Sequence, residues 1–145
     1  MNHILVLLMG AAMAVFGTTH DLRNESEKLR LVLKTNVQIK GTLVVVVYTN
    51  AADFLTEKGR VLKTQAVAEE AFTFETEALA KGIYALVVFE DLNNNGLLDQ
   101  NKLGIPQEPF GFSKAKLSIF GPPSFNKASF NFPEESKIEV VLKAF

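Results

Sequence analysis

The chain has no cysteine, only two histidines among 145 residues, no proline before residue 100 and no excess of charge of either sign. Each of these absences removes a class of explanation. Without cysteine there are no disulfides, no lipid attached through an N-terminal cysteine and no thiolate zinc site. A formal net charge of −1, with acids and bases mixed throughout, leaves no electrostatic footprint for nucleic acid and no polybasic membrane surface. Long apolar runs are also scarce. The longest, Ile4 to Phe16, is interrupted only by Gly10 and is too short to cross a bilayer as an ordinary helix. Small residues follow at Ala12-Met-Ala14 and Val15-Phe-Gly17, either of which suits signal peptidase. Residues 1–17 therefore read as a signal peptide, although Met-Asn-His at the start lacks the customary Lys or Arg. The rival reading is a short membrane anchor left in place. Cleavage leaves His20 as the sole histidine, at the start of the mature chain, so a Ser-His-Asp or Cys-His arrangement has no base to use.

What is present is β-structure. Residues 18–28 are charged and expected to be loosely ordered, and residues 29–145 form one domain held by its core. Leu29–Leu33, Thr42–Tyr48 and Ile83–Phe89 are short runs dense in β-branched residues, flanked by turn residues, as central strands are. Val61–Val67 is a weaker strand. Phe72–Thr76 alternates with period two, although the Ala- and Glu-rich stretch from Ala66 to Ala80 also suits a helix. All five prolines and seven of the twelve phenylalanines lie beyond residue 100, where short strands are expected near Lys116–Phe120 and Ala128–Phe132. Ile138–Leu142 closes the chain as a last strand. With no helices alternating with them, about seven strands predict an all-β, antiparallel sandwich of Ig-like or prealbumin-like kind. Val44, Val46, Leu86, Val88, Val140 and Leu142 are expected in its core.

The stretch Asp91-Leu-Asn-Asn-Asn-Gly-Leu-Leu-Asp99 carries the chemistry. Side-chain oxygens at Asp91, Asn93 and Asn95, a turn glycine at Gly96, a main-chain carbonyl at Leu97 and an acid at Asp99 follow the order of a calcium loop. The twelfth position, where an EF-hand supplies a bidentate Glu, is Lys102, and the preceding segment is a strand. Glu108 is the best candidate to complete the set. Glu90 and Gln100 fall on the wrong alternation. The metal-free alternative is a tight turn, for which Asn94-Asn95-Gly96 alone suffices. Few charges and no bidentate ligand point to weak calcium binding of the extracellular range.

Further along, Leu103-Gly-Ile-Pro-Gln-Glu-Pro-Phe-Gly-Phe-Ser113 reads as a loop folded over one end of the sandwich, burying Phe110 and Phe112. The competing reading makes those rings an exposed sugar-binding platform. Gly121-Pro-Pro-Ser-Phe125 is a rigid corner and the place where a cis bond is expected. With no nucleophile–base pair visible, the domain reads as non-catalytic.

These segments together resemble a bacterial exported family known as domain of unknown function 2141 (DUF2141). The resemblance covers Leu29 to Leu142. It rests on Gly82-Ile-Tyr84, Phe89 to Asp99, Gly104-Ile-Pro-Gln-Glu-Pro-Phe-Gly-Phe-Ser113 and Gly121-Pro-Pro-Ser-Phe125. It implies a small sandwich similar to transthyretin-like or carboxypeptidase-regulatory-like domains, with no established activity. The expected protein is thus a periplasmic or secreted module with a structural or binding role towards an unidentified protein or glycan. It makes no nucleic-acid contact and has no stable membrane insertion after cleavage. The alternative is a metal-assisted hydrolase or glycan binder using the Asp91–Asp99 loop and Glu108.

Overall fold

A computed structural model describes residues 27–64, 71–118 and 120–144. The expected signal peptide lies outside the described residues, as does most of the charged segment after it. Eight strands are described: β1 (Glu27–Thr35), β2 (Thr42–Tyr48), β3 (Arg60–Thr64), β4 (Ala71–Leu79), β5 (Gly82–Asp91), β6 (Phe110–Phe112), β7 (Phe130–Phe132) and β8 (Lys137–Leu142). One helical turn, α1 (Phe125–Ala128), precedes β7. They form two sheets, one ordered β4-β1-β8 and the other β3-β2-β5-β6, with β7 also paired to β5. Every pairing is antiparallel except that of β1 with β8, which sets Leu31 beside Ile138 and Leu33 beside Val140.

Alternation explains the first sheet. Leu29, Leu31 and Leu33 on β1, and Ile138, Val140 and Leu142 on β8, all point into the sandwich and are buried. The residues between them on β8 are exposed. Burying each such side chain contributes roughly 1.5–3 kcal/mol. A bulge between Lys28 and Arg30 takes the Leu29 N–H out of the ladder, and Thr76, itself buried, accepts it through Oγ1 at 3.1 Å.

β2 and β5 do not alternate because both of their faces are covered, the condition under which strands read as continuous apolar runs. Leu43, Val45, Leu86 and Val88 join the core between the sheets. Val44, Val46, Val87 and Phe89 belong to a second core on the outer face, under the loops after β2, β5 and β6. All six residues expected in the core are buried.

Three expectations change. Among the described residues near Lys116–Phe120 there is no strand; Ser118 and Gly121 close a tight turn there through reciprocal backbone bonds of 3.3 and 3.0 Å. Phe110–Phe112, read as loop, is strand β6, paired with β5. The cis bond is Phe132–Pro133, not part of the Gly-Pro-Pro corner. The Ala71–Leu79 segment, where a helix competed with a strand, is strand; residues 65–70 lie outside the description.

Candidate functional site

β5 ends at Asp91, so the candidate loop leaves a central strand directly, and Asp91 sits opposite Thr42 of β2. Its carboxylate is buried, and it accepts the Asn95 N–H on Oδ1 at 3.1 Å and the Gly96 N–H on Oδ2 at 2.7 Å. Two further side-chain turns follow. Asn93 Oδ1 accepts the Asn95 N–H at 3.0 Å, and Asn95 Oδ1 accepts the Leu97 N–H at 2.7 Å. The chain reverses at Asn94, with φ 59°, and at Gly96, with φ 79°. Asparagine and glycine are the residues that tolerate this left-handed backbone. Thr42 Oγ1 donates to Asn94 Oδ1 at 3.1 Å and ties the tip back to β2.

Asp99 lies across the loop. It accepts the Asn95 Nδ2 donor on Oδ1 at 2.9 Å, and the Asn93 Nδ2 donor on Oδ2. Asp91, Asn93, Asn95 and Asp99 are therefore drawn into one hydrogen-bonded ring. Leu97 contributes its backbone to that ring and leaves its side chain exposed.

Glu108 reaches the same loop in a different way. It is buried, and its Oε1 accepts the Leu92 N–H at 2.8 Å while Oε2 accepts the Asp99 N–H at 3.1 Å. One carboxylate thus buckles the first and last residues of the loop. The Gln107 N–H to Asp99 carbonyl bond of 2.8 Å reinforces the closure. Among the described residues, no three His, Cys, Asp or Glu side chains stand close enough together to form a metal cluster of their own. Any cation here would draw on amide and main-chain oxygens as well as on the acids.

Sequence reasoning set Glu90 aside, yet it is among the most deeply buried groups of the protein. Its Oε1 accepts the N–H groups of Lys40 and Gly41, the latter at 2.6 Å, and so anchors the chain entering β2. The available signal was position: β5 is covered on both faces, so consecutive Glu90 and Asp91 at its end must both find backbone donors.

Phe110 and Phe112 are buried edge to face with ring centroids 5.6 Å apart, so they are not an exposed platform. They belong to the floor of a cleft of about 990 Å³ on the outer face of the second sheet. The loop residues Gly96, Leu97 and Leu98 line one side of it. Tyr48 also lines the cleft; its OH donates to the Thr56 carbonyl at 3.1 Å, and burial raises its phenol above the usual range. Asp91, Asp99 and Glu108 are not among the lining residues.

Neither the curated proteins nor the solved structures contain a match to this chain. A family model described as "Uncharacterized protein conserved in bacteria (DUF2141)" matches residues 33–140, from within β1 to within β8, and with the loop, its Glu108 buckle and the cleft all inside that span the chain belongs to this family.

Proposed function

We propose that the protein is an exported, non-catalytic β-sandwich module of transthyretin-like or carboxypeptidase-regulatory-like kind, whose Asp91–Asp99 loop takes up calcium weakly and thereby stiffens the domain. The observation carrying this reading is the convergence of Asn93 and Asn95 on Asp99 across a turn that Asp91 already holds in place. Both amides turn their Nδ2 groups toward the Asp99 carboxylate. A half-turn of each about its last side-chain bond would bring Oδ1 to that side and make a cradle of oxygens for a hard cation. Each half-turn gives up one side-chain turn bond and one bond to Asp99, at roughly 1 kcal/mol for each bond. That loss and the low formal charge argue for a dissociation constant on the order of 0.1–1 mM.

The non-catalytic part of the reading is supported by where the carboxylates are spent. Glu108 has both oxygens on backbone N–H groups, and none of Asp91, Asp99 and Glu108 faces the neighbouring cleft. Export rests on the Ile4–Phe16 run, and predicts a mature N-terminus after Ala14 or Gly17.

Thermal melting with and without calcium tests the site. At about ten times the dissociation constant, binding stabilises the fold by roughly 1.4 kcal/mol, which raises the melting temperature by about 3–6 °C at this size. Magnesium should do less, because it keeps its waters and demands an octahedron. Asp91→Ala should lose the response. A native melt unmoved by several millimolar calcium would leave the loop as a turn only.

A further inference from the structure

The outer face of the second sheet carries a feature that the loop's proposed chemistry does not use. Val46 of β2, Val87 and Phe89 of β5, and Phe110 and Phe112 of β6 form the floor of the cleft, on three strands bonded to one another. Such a floor is rigid. The walls are the segment after β2, the end of the candidate loop, and the turn at Gly104. Its volume of about 990 Å³ is at the upper end of the range of ligand clefts, roughly 300–1,000 Å³, which are mostly apolar with a few polar groups.

Three independent observations point to an occupant. Nine large apolar side chains are exposed among the described residues, and five of them, Leu55, Val61, Leu97, Leu103 and Ile105, line this one cleft. Scattered exposed apolar groups need no explanation, but their collection around one concavity marks a binding surface. Leu55 is also held at φ 63°, a left-handed conformation that a bulky side chain rarely adopts. Backbone strain of this kind gathers at ligand clamps. Finally, among the described residues no Lys, Arg or His lines the cleft, and Glu57 is its one carboxylate. An anionic ligand would find no countercharge there and would face a carboxylate.

We propose that this cleft binds an uncharged, elongated apolar molecule, of the chemical class of a neutral long-chain alcohol or ester. The polar end is placed against the exposed Gln100 amide, and the chain lies along the valine and phenylalanine floor. The proposal calls on no metal, although Gly96, Leu97 and Leu98 of the loop wall the cleft, and its test is run in chelator so that its failure and that of the metal reading remain distinct.

The experiment is a fluorescence titration with the neutral probe N-phenyl-1-naphthylamine, followed by displacement with dodecanol and with dodecanoate, each below its aggregation concentration. The native protein should bind the probe saturably at one site. Dodecanol should displace it, and dodecanoate at pH 8 should do so at least ten-fold less well. The double variant Leu55→Asp with Leu103→Asp should bind the probe at least ten-fold more weakly with an unchanged melt. Both side chains are exposed, and aspartate tolerates the backbone at position 55 better than leucine does. Val61→Trp, which fills the cleft from β3, should do the same, whereas Ile83→Asp, exposed elsewhere, should not. Probe binding that is absent from the native protein, or that is as tight in the double variant and in Val61→Trp as in the native protein, overturns the proposal. Equal displacement by dodecanoate overturns the uncharged class. A native dimer in sedimentation that the double variant abolishes would give the face to a second copy and also overturn it.

Discussion

Glu108 and Glu90 are both buried carboxylates holding backbone N–H groups, yet they should respond differently to amidation. Glu108 uses both oxygens, one on Leu92 and one on Asp99. In Glu108→Gln one of them becomes an NH2 that faces a buried N–H, so a donor is left without an acceptor at about 1–3 kcal/mol. Glu90 receives both of its donors on Oε1, which glutamine retains. Glu90→Gln therefore loses only the charge that strengthens those bonds, about 1.5 kcal/mol at most. Urea unfolding of the two variants beside the native protein reads the difference, and a Glu90→Gln loss as large as that of Glu108→Gln would refute the account. The spacing of Asp91, Asn93, Asn95 and Asp99 was legible in the chain because its chemistry is local. Glu108 was expected at the loop as a further ligand, but its hold on the N–H groups of residues 92 and 99 was not legible, since those contacts depend on the path of the chain between them.

At the scale of elements, β2 and β5 were legible because long β-branched runs have few other places to go than a covered sheet, and β8 because its apolar residues alternate. β6 was not. Phe110-Gly-Phe112 is three residues long, follows a proline, and is strand only because β5 and the end of β8 lie on either side of it. Phe110 exchanges backbone bonds of 3.0 Å in both directions with Lys143, so β6 is the seam between the sheets. Gly111 makes the seam possible, since a Cβ there would stand 2.4 Å from the Val141 carbonyl oxygen. Gly111→Ala must push β6 off β8, and overpacking of this kind costs about 1–3 kcal/mol. Denaturant unfolding measures it; a neutral Gly111→Ala would mean that the seam is loose. A second tie runs from Lys114, just past β6, to Glu135 in the turn before β8, with Nζ to Oε2 at 2.6 Å. Lys114, and then the Asn131 N–H, hold the Glu135 carboxyl below its ordinary value of 4.5. A depressed carboxylate stabilises the fold above its unfolded pKa and loses that contribution as pH falls through the folded value. The melting difference between native protein and Glu135→Gln should therefore be constant above about pH 6 and shrink on acidification below about pH 4.5. Salt should shrink it too, because the pair is exposed. A gap that widens toward acid would reverse the sign and refute the assignment.

The described fold is closed by its first and last strands. β1 is the first described strand and β8 the last, yet they lie side by side in parallel, with Leu31 beside Ile138 and Leu33 beside Val140. On the other side of β1 lies β4, so β1 is the centre of the first sheet and β8 completes its inner face. A parallel pair joined through most of the chain cannot form until the intervening loop closes, and chains dominated by such contacts fold in about milliseconds to seconds. β8 also carries three wholly or nearly buried side chains, Ile138, Val140 and Leu142, and its end receives the β6 seam. Truncation after Ser136 would expose the β1 edge, open the core between the sheets and detach Phe110 from Lys143 at once. At roughly 1.5–3 kcal/mol for each side chain lost, the deficit is comparable to the total stability of about 5–15 kcal/mol that a domain possesses. The truncated chain should therefore show no cooperative melt and no dispersed amide spectrum, while Val140→Ala, which leaves a cavity worth about 1–3 kcal/mol, should fold with a lower melting temperature. A truncated chain that still melts cooperatively would show that β1 and β4 close the core without β8 and would refute this account.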